Sequence, residues 1–422
     1  MSDARTTRTN IPRLATHALF GLALALAGCG VDEIGVDPPR DAWHYPLGLA
    51  AHPDGRYLFV ASAGFDRAYN AGTVTVYDTV ERRIVPESTI RIGLFAGDVA
   101  AARRPEDDGV HLFVGSRDEG SLYRITVEPG ADPDAPLVLD ATRTRDFGGR
   151  PFAGEPYSIA IDADGEGLTL THAERGVVSR WSTAAAAWQP PPGGGEPPAF
   201  RCSISVTDFA TAVARHPILD WWYVSDRFGR RIKIVAEQAE PVDVATPATA
   251  CDLLQLTTIT VSPIEPRGRT RGIAFDSRGT RLYVASSTDA SLRVYDTTVT
   301  GSGNPANRAI TAIALGGIPD LVRVAGCRPS ECPLDATPLE RAGGGLIYVT
   351  LFNDDRVVVV DPDTLTVIAR IEVGDGPHDI AFVLDPSERL RGYVTLFNEH
   401  ALAVLDLDPA SATRFTHSAT VK

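Results

Sequence analysis

Lysine is nearly absent from this chain of 422 residues. Lys233 and Lys422 are its only two, and 40 Lys+Arg against 54 Asp+Glu leave a formal charge of -14. No basic tract exists to neutralise phosphates, so no nucleic acid is expected as a partner. Cysteine is scarce at 5 residues, and none sits in a Cys-x-x-Cys-His run, which excludes a covalently attached haem. No stretch reaches 18 consecutive apolar residues, so no membrane-spanning helix is expected. A Gly-x-Ser-x-Gly elbow, a His-Glu-x-x-His pair, a phosphate loop and a Gly-x-Gly-x-x-Gly turn after a strand are all missing. Four common enzyme classes lose their support with them. What is present, 44% hydrophobic and 22% charged residues, is ordinary for a folded, water-soluble body of two or three domains or one large repeat array.

The first residues read as an address. Arg5, Arg8 and Arg13 precede the apolar run from Ala18 to Ala27, which is too short to span a bilayer and suits a secretory signal. The run ends in Leu26-Ala27-Gly28-Cys29, which resembles the bacterial lipobox, whose cysteine is lipidated and becomes the first residue of the mature chain. The resemblance implies a signal peptide over residues 1–28 and a lipid on Cys29. Acyl chains at about 0.8 kcal/mol per buried methylene would then hold the protein on a membrane of the cell envelope. Removing residues 1–28 takes away three arginines and one aspartate, so the exported chain is more acidic, at -16. Residues 29–43, with acids, Gly and Pro and little to bury, read as a lipidated tether.

From residue 44 to 422 the chain repeats itself. In Arg271 to Ser286, two short apolar runs of alternating pattern flank a polar Asp276-Ser277-Arg278-Gly279 turn, and a third run, Ser291 to Asp296, follows. This is the pattern of an antiparallel meander. Six further copies begin near 46, 97, 156, 211, 319 and 377. Marking the second strand by Val60, Val114, Leu170, Val224, Val284, Val349 and Val394 gives a period of 45 to 65 residues. Three strands with room for a fourth make one propeller blade, and radial closure hides sheet edges that a linear array would leave open. The expected fold is an all-β, seven-bladed propeller of four-stranded antiparallel blades. Strand-rich solenoids would need shorter, more regular repeats, and two sandwiches would not repeat one motif seven times. The run Arg414 to Val421 is the candidate for the last outer strand, letting blade seven complete itself.

At Leu346-Ile347-Tyr348-Val349-Thr350-Leu351-Phe352-Asn353 and Gly392-Tyr393-Val394-Thr395-Leu396-Phe397-Asn398 the repeat resembles the YVTN family of bacterial β-propellers. The likeness is close in blades five to seven. Blades two to four depart from it, with Phe113-Val114-Gly115-Ser116, Leu168-Thr169-Leu170-Thr171 and Tyr223-Val224-Ser225-Asp226 at the motif position. The family implies a fold and no single chemistry.

Long insertions fall at Ser182 to Pro198, Ala236 to Leu254 and Ala325 to Gly345, all at connections expected on one face of the disc. In an exported chain, the four cysteines other than Cys29 are expected to pair as Cys202 with Cys251 and Cys327 with Cys332. A four-thiolate zinc site lacks a second close pair. Asp162-Ala163-Asp164-Gly165 begins like a calcium loop, but Ala173 stands where the bidentate Glu belongs, so a turn is expected. His52, His111, His172 and His216 read as structural or solvated. Trp221, Trp222, Tyr57, Tyr283, Tyr348 and Tyr393 read as core aromatics.

The remaining candidates lie at the starts of the innermost strands, which line the mouth of the central channel. One alignment column reads Leu47, Gly97, Tyr157, Thr211, Arg271, Asp320 and His378. The next reads Gly48, Asp98, Ser158, Ala212, Gly272, Leu321 and Asp379. Asp98, Tyr157, Arg271, Asp320, His378 and Asp379 are therefore expected to converge from five blades. Such a set suits an anionic or polyol ligand, general acid/base work or a divalent ion. Channel mouths are also wet and tolerate polar residues without any ligand. The expected function is a non-enzymatic binding or interaction platform for a protein, glycan or small molecule. The alternative is a lactonase-like hydrolase at the channel mouth, by analogy of fold. A redox propeller would need an electron-entry domain for which the chain has no room. No cofactor and no metal are expected.

Overall fold

The computed structural model describes residues 35–104, 109–145, 154–195, 197–237, 251–261 and 269–422. The expected signal segment and Cys29 lie outside the described residues, as does most of the second insertion.

Residues 38–422 form one unit. It contains seven sheets, each of four strands consecutive in the chain and paired antiparallel with their neighbours. This is the seven-bladed propeller expected from the repeat. The innermost strands are Pro46–Ala51, Ala96–Arg103, Pro156–Ile161, Ala210–Arg215, Thr270–Phe275, Val322–Ala325 and Pro377–Leu384. Each begins at or within a few residues of its expected blade start.

The repeat pattern follows from burial. A second strand is flanked within its sheet on both sides and covered on both faces by adjacent blades, so Tyr57–Ser62 and Leu346–Leu351 are buried throughout. That environment selects the Val, Tyr, Leu and Phe runs by which the blades were recognised. An outermost strand such as Thr366–Glu372 meets solvent and alternates. Apolar side chains gather into seven clusters, one at each seam between consecutive blades. Tyr57, Tyr283, Tyr348, Tyr393 and Trp222 are buried there, while Trp221 packs at the edge of the cluster between blades four and five.

Blade seven is continuous in sequence, because Thr416–Val421 pairs with Ala401–Asp406 as its outermost strand. The ring therefore closes by face packing rather than by a borrowed strand. Trp43, the last residue of the expected tether, lies inside this seam at 1% exposure. Its ring packs 5.8 Å from Tyr77, and its Nε1 donates to Thr75 Oγ1 at 2.7 Å. The packed body thus begins before residue 44.

Both disulfides are present. Cys202–Cys251 ties the outermost strand of blade three to the approach to that of blade four, and Cys327–Cys332 closes a tight loop in the third insertion. That insertion also carries a short helix, Pro338–Gly343, started by a Thr337/Glu340 capping box. In the first insertion the Pro190 to Gly195 run is exposed, but Trp188 just before it is buried and packs 5.9 Å from Phe113 of blade two. No described helix is long and apolar enough to cross a membrane.

Candidate ligand site at the channel mouth

The channel-mouth residues separate into two levels. At the mouth, Tyr157, Arg271, Asp320 and His378 line a cavity of about 440 Å³. Asp320 links them: one carboxylate oxygen takes Arg271 Nη1, and the other lies 3.6 Å from His378 Nε2. Its backbone is pinned at the seam, its N–H donating to Thr350 O at 2.8 Å while its carbonyl accepts from Gly272 N at 2.8 Å. Asp320 and His378 are 5% and 6% exposed, not the open rim positions that the sequence suggested. His378 Nδ1 is buried without a hydrogen-bond partner among the described residues.

Asp98 and Asp379 lie deeper. Below Tyr157 a second cavity of about 220 Å³ is lined by Asp98, Ser158, Thr211 and Arg323. Arg323 Nη2 stands 3.0 Å from Asp379 Oδ1 and donates to Oδ2 at 3.1 Å. Asp379 also accepts from Leu49 N across the closing seam at 3.3 Å. Burial pushes the Asp98 carboxyl up, and the Asp379 charge adds to this, while Arg323 and a hydrogen bond with Ser158 oppose it. Burial works against the Arg323 charge, but the Asp379 and Asp98 carboxylates outweigh it and raise its pKa.

Several site residues escaped the sequence reading. Arg117 and Arg227 each follow a second strand directly, in blades two and four, and both line the mouth cavity. The equivalent residues in blades six and seven are Phe352 and Phe397 of the repeated Leu-Phe-Asn motif, and they line it too. Extending the alignment past its second column would have found Arg323. Its register partner is Tyr348, as Tyr393 is of Ala381 and Tyr283 of Ala274, so it occupies a column that otherwise reads Ala50, Ala100, Ala160, Ala214, Ala274 and Ala381.

The charge of the mouth is opposite to that of the chain. Arg117, Arg227 and Arg271 face the single carboxylate of Asp320 in a protein of formal charge -14. Neither Arg117 nor Arg227 forms an ion pair among the described residues. Arg117 instead lies 5.4 Å above the Tyr157 ring, and Arg227 lies 5.7 Å above Phe209. Burial, reinforced by the Arg271 charge, pulls the Arg227 pKa down. Burial, with the Asp320 charge, pushes the Tyr157 hydroxyl up. No cluster of three or more His, Cys, Asp or Glu that would suit a metal occurs among the described residues. Asp162 pairs with the buried Arg180 at 2.6 Å, consistent with a structural turn.

The chain is a seven-bladed β-propeller. No protein-family model and no curated protein matches its sequence. Solved propellers do match its fold. A functionally unknown protein of Desulfotomaculum acetoxidans is 13% identical at a TM-score of 0.57, covering 89% of this chain and 95% of its own. Hydrazine synthase of Kuenenia stuttgartiensis is 13% identical at 0.57, with 91% and 99% covered. The periplasmic gluconolactonase of Pseudomonas aeruginosa is 18% identical at 0.51, with 83% and 88% covered. At such identities the likeness is one of fold.

Proposed function

We propose that this protein is a binding propeller that holds a small anionic ligand at the mouth of its central channel, without turnover. The observation that carries this is the excess of arginine over carboxylate around a cavity of about 440 Å³ in an otherwise acidic chain. A guanidinium half out of water and without a counter-ion gains from a ligand oxygen that supplies one. The test is isothermal titration of gluconate, 3-phenylpropionate and inorganic phosphate against wild type and Arg227→Ala. At least one anion is expected to bind. Arg227→Ala should weaken it about ten- to hundredfold, the loss of one charged hydrogen bond. Absence of binding by all three, or binding indifferent to Arg227, overturns the proposal.

The contact between His378 and Asp320 favours a second reading, hydrolysis of a lactone at the same mouth. There a water activated by His378 would add to the carbonyl, the ring C–O bond would break, and the proton would pass to the leaving alkoxide. The fold likeness to a gluconolactonase supports trying gluconolactone first. Turnover abolished by His378→Ala would select this reading over the first.

The Leu26 to Cys29 sequence supports placing the protein on a membrane of the bacterial cell envelope through a lipid on Cys29. The motifs at Leu346 to Asn353 and Gly392 to Asn398 support kinship with the YVTN family.

A further inference from the structure

The arginines occupy only part of the mouth. Arg117, Arg227 and Arg271 belong to blades two, four and five, whereas Phe65, Phe397 and Phe352 belong to blades one, seven and six, which are consecutive around the ring. The three phenylalanines form a continuous arc, with ring centroids 5.6 Å apart between Phe65 and Phe397 and 5.8 Å between Phe397 and Phe352. Phe65 is 53% exposed although it heads a row of rings, and Phe95 and Tyr45 support the arc from outside at 5.7 Å and 4.9 Å. Phenyl rings left facing water beside a cavity cost free energy that a ligand covering them recovers.

The two arcs face one another across the same cavity, so the site is polarised. A sugar acid would satisfy the arginines and find partners for some hydroxyls at Asp320, His378, Asn353 and Asn398, but it would leave the phenyl faces of the arc uncovered. A neutral ring would satisfy the arc but supply no charge to Arg117 and Arg227, which form no ion pair among the described residues, while Arg271 keeps Asp320. Resting on the anion-binding reading above, we propose that the ligand is an aromatic carboxylate, with its acid group at Arg227 and Arg271 and its ring stacked on Phe397 and Phe352. Offset or edge-to-face contact with those rings supplies the selectivity that charge alone lacks.

The experiment is a titration of three probes that share features pairwise: 3-phenylpropionate, gluconate and benzyl alcohol. The expected result is that 3-phenylpropionate binds at least tenfold tighter than either of the others. Phe397→Ala should erase its advantage over gluconate while leaving gluconate binding within about twofold. Phe397→Leu, which keeps apolar volume without a ring, should lose most of the advantage as well. Because Phe397 sits on a partly exposed hairpin, the circular dichroism melt of each variant is recorded alongside. If gluconate binds as tightly as 3-phenylpropionate and does so through Arg227, the aromatic arc is not used and this inference fails while the anion-binding reading stands. If no probe binds, both fail together. If benzyl alcohol matches 3-phenylpropionate, the arginine arc is not engaged and the ligand is not an acid.

Discussion

Arg323 reaches from the innermost strand of blade six to the Asp379 carboxylate of blade seven, 3.0 Å away, from a position that holds alanine in every other blade. Asp379 is fully buried, so this one guanidinium is the counter-ion for a charge that water does not reach. Removing it leaves the carboxylate stranded. Arg323→Ala is therefore expected to destabilise the propeller by about 3 kcal/mol, the lower end for breaking a buried pair, since a third of the arginine side chain faces the channel. Urea unfolding measures this, and Arg323→Ala/Asp379→Asn should recover part of the loss. An unchanged midpoint in the single variant would show that the pair is not a stabilising contact.

Asp98 should make stability fall with rising pH. Burial holds its folded-state pKa above the ordinary value of about 3.9, so between the two values the folded protein binds more protons than the unfolded chain. The slope of stability against pH is then negative through that window. The penalty grows as the pH rises through that window. Asp98→Asn is expected to melt higher than wild type at pH 7, with the difference fading as the pH falls below about 4. A lower melting temperature for Asp98→Asn at pH 7 contradicts this.

The two disulfides should differ in worth. In the chain-entropy account, closing the segment from Cys202 to Cys251 removes more freedom from the unfolded chain than closing Cys327 to Cys332. Replacing the first pair with serine is expected to cost about 4 kcal/mol and the second about 2 kcal/mol. Thermal or urea unfolding of the two double variants checks the order. Equal losses would show that native-state contacts, such as those of Arg328 with Asp276 at 3.3 Å beside the shorter loop, outweigh loop length.

Trp43 closes the ring from outside the repeat. Trp43→Ala is expected to cost about 3 to 5 kcal/mol, the range for a large buried aromatic. Amide exchange should loosen first in Tyr57–Ser62 and Leu390–Leu396, the second strands on either side of that seam. Uniform loosening of all blades would contradict a local role.

Cys29→Ser is expected to move the protein from the membrane fraction to the soluble one, because one thiol is the proposed lipid attachment point. Fractionation with mass spectrometry of the mature N-terminus decides it. A wild-type protein that is soluble and carries no lipid removes the envelope address.

The blades were legible because a strand buried on both faces can accept few residue types, and the same environment recurs at every turn of the ring. That regularity also places Arg271, Asp320 and His378 in one column, and in the structure both Arg271 and His378 lie against Asp320: residues in one column of a radial repeat stand at the same height around one axis. Depth was harder to read. Asp98 and Asp379 are one residue further along the strand than their column neighbours, and that single step carries them from the mouth into the closed channel beside Arg323. Arg117 and Arg227 were missed because the column that holds them lies just past the second strand, on a hairpin of equal length in blades two to seven, and only the starts of the innermost strands were aligned.

The order of residues along the chain is enough to specify seven blades, their strand boundaries and the pairing of four cysteines, since each depends on local pattern and on spacing within one or two repeats. Which side of the mouth is basic and which aromatic depends on where each blade falls around a closed circle. Phe65 and Phe352 are far apart in the chain, yet both flank Phe397 in one arc, at 5.6 Å and 5.8 Å, because the ring returns blade seven to blade one. Closure is a global property of the packed seams, so only the tertiary structure decides that arginines and phenylalanines scattered over six repeats share one cavity.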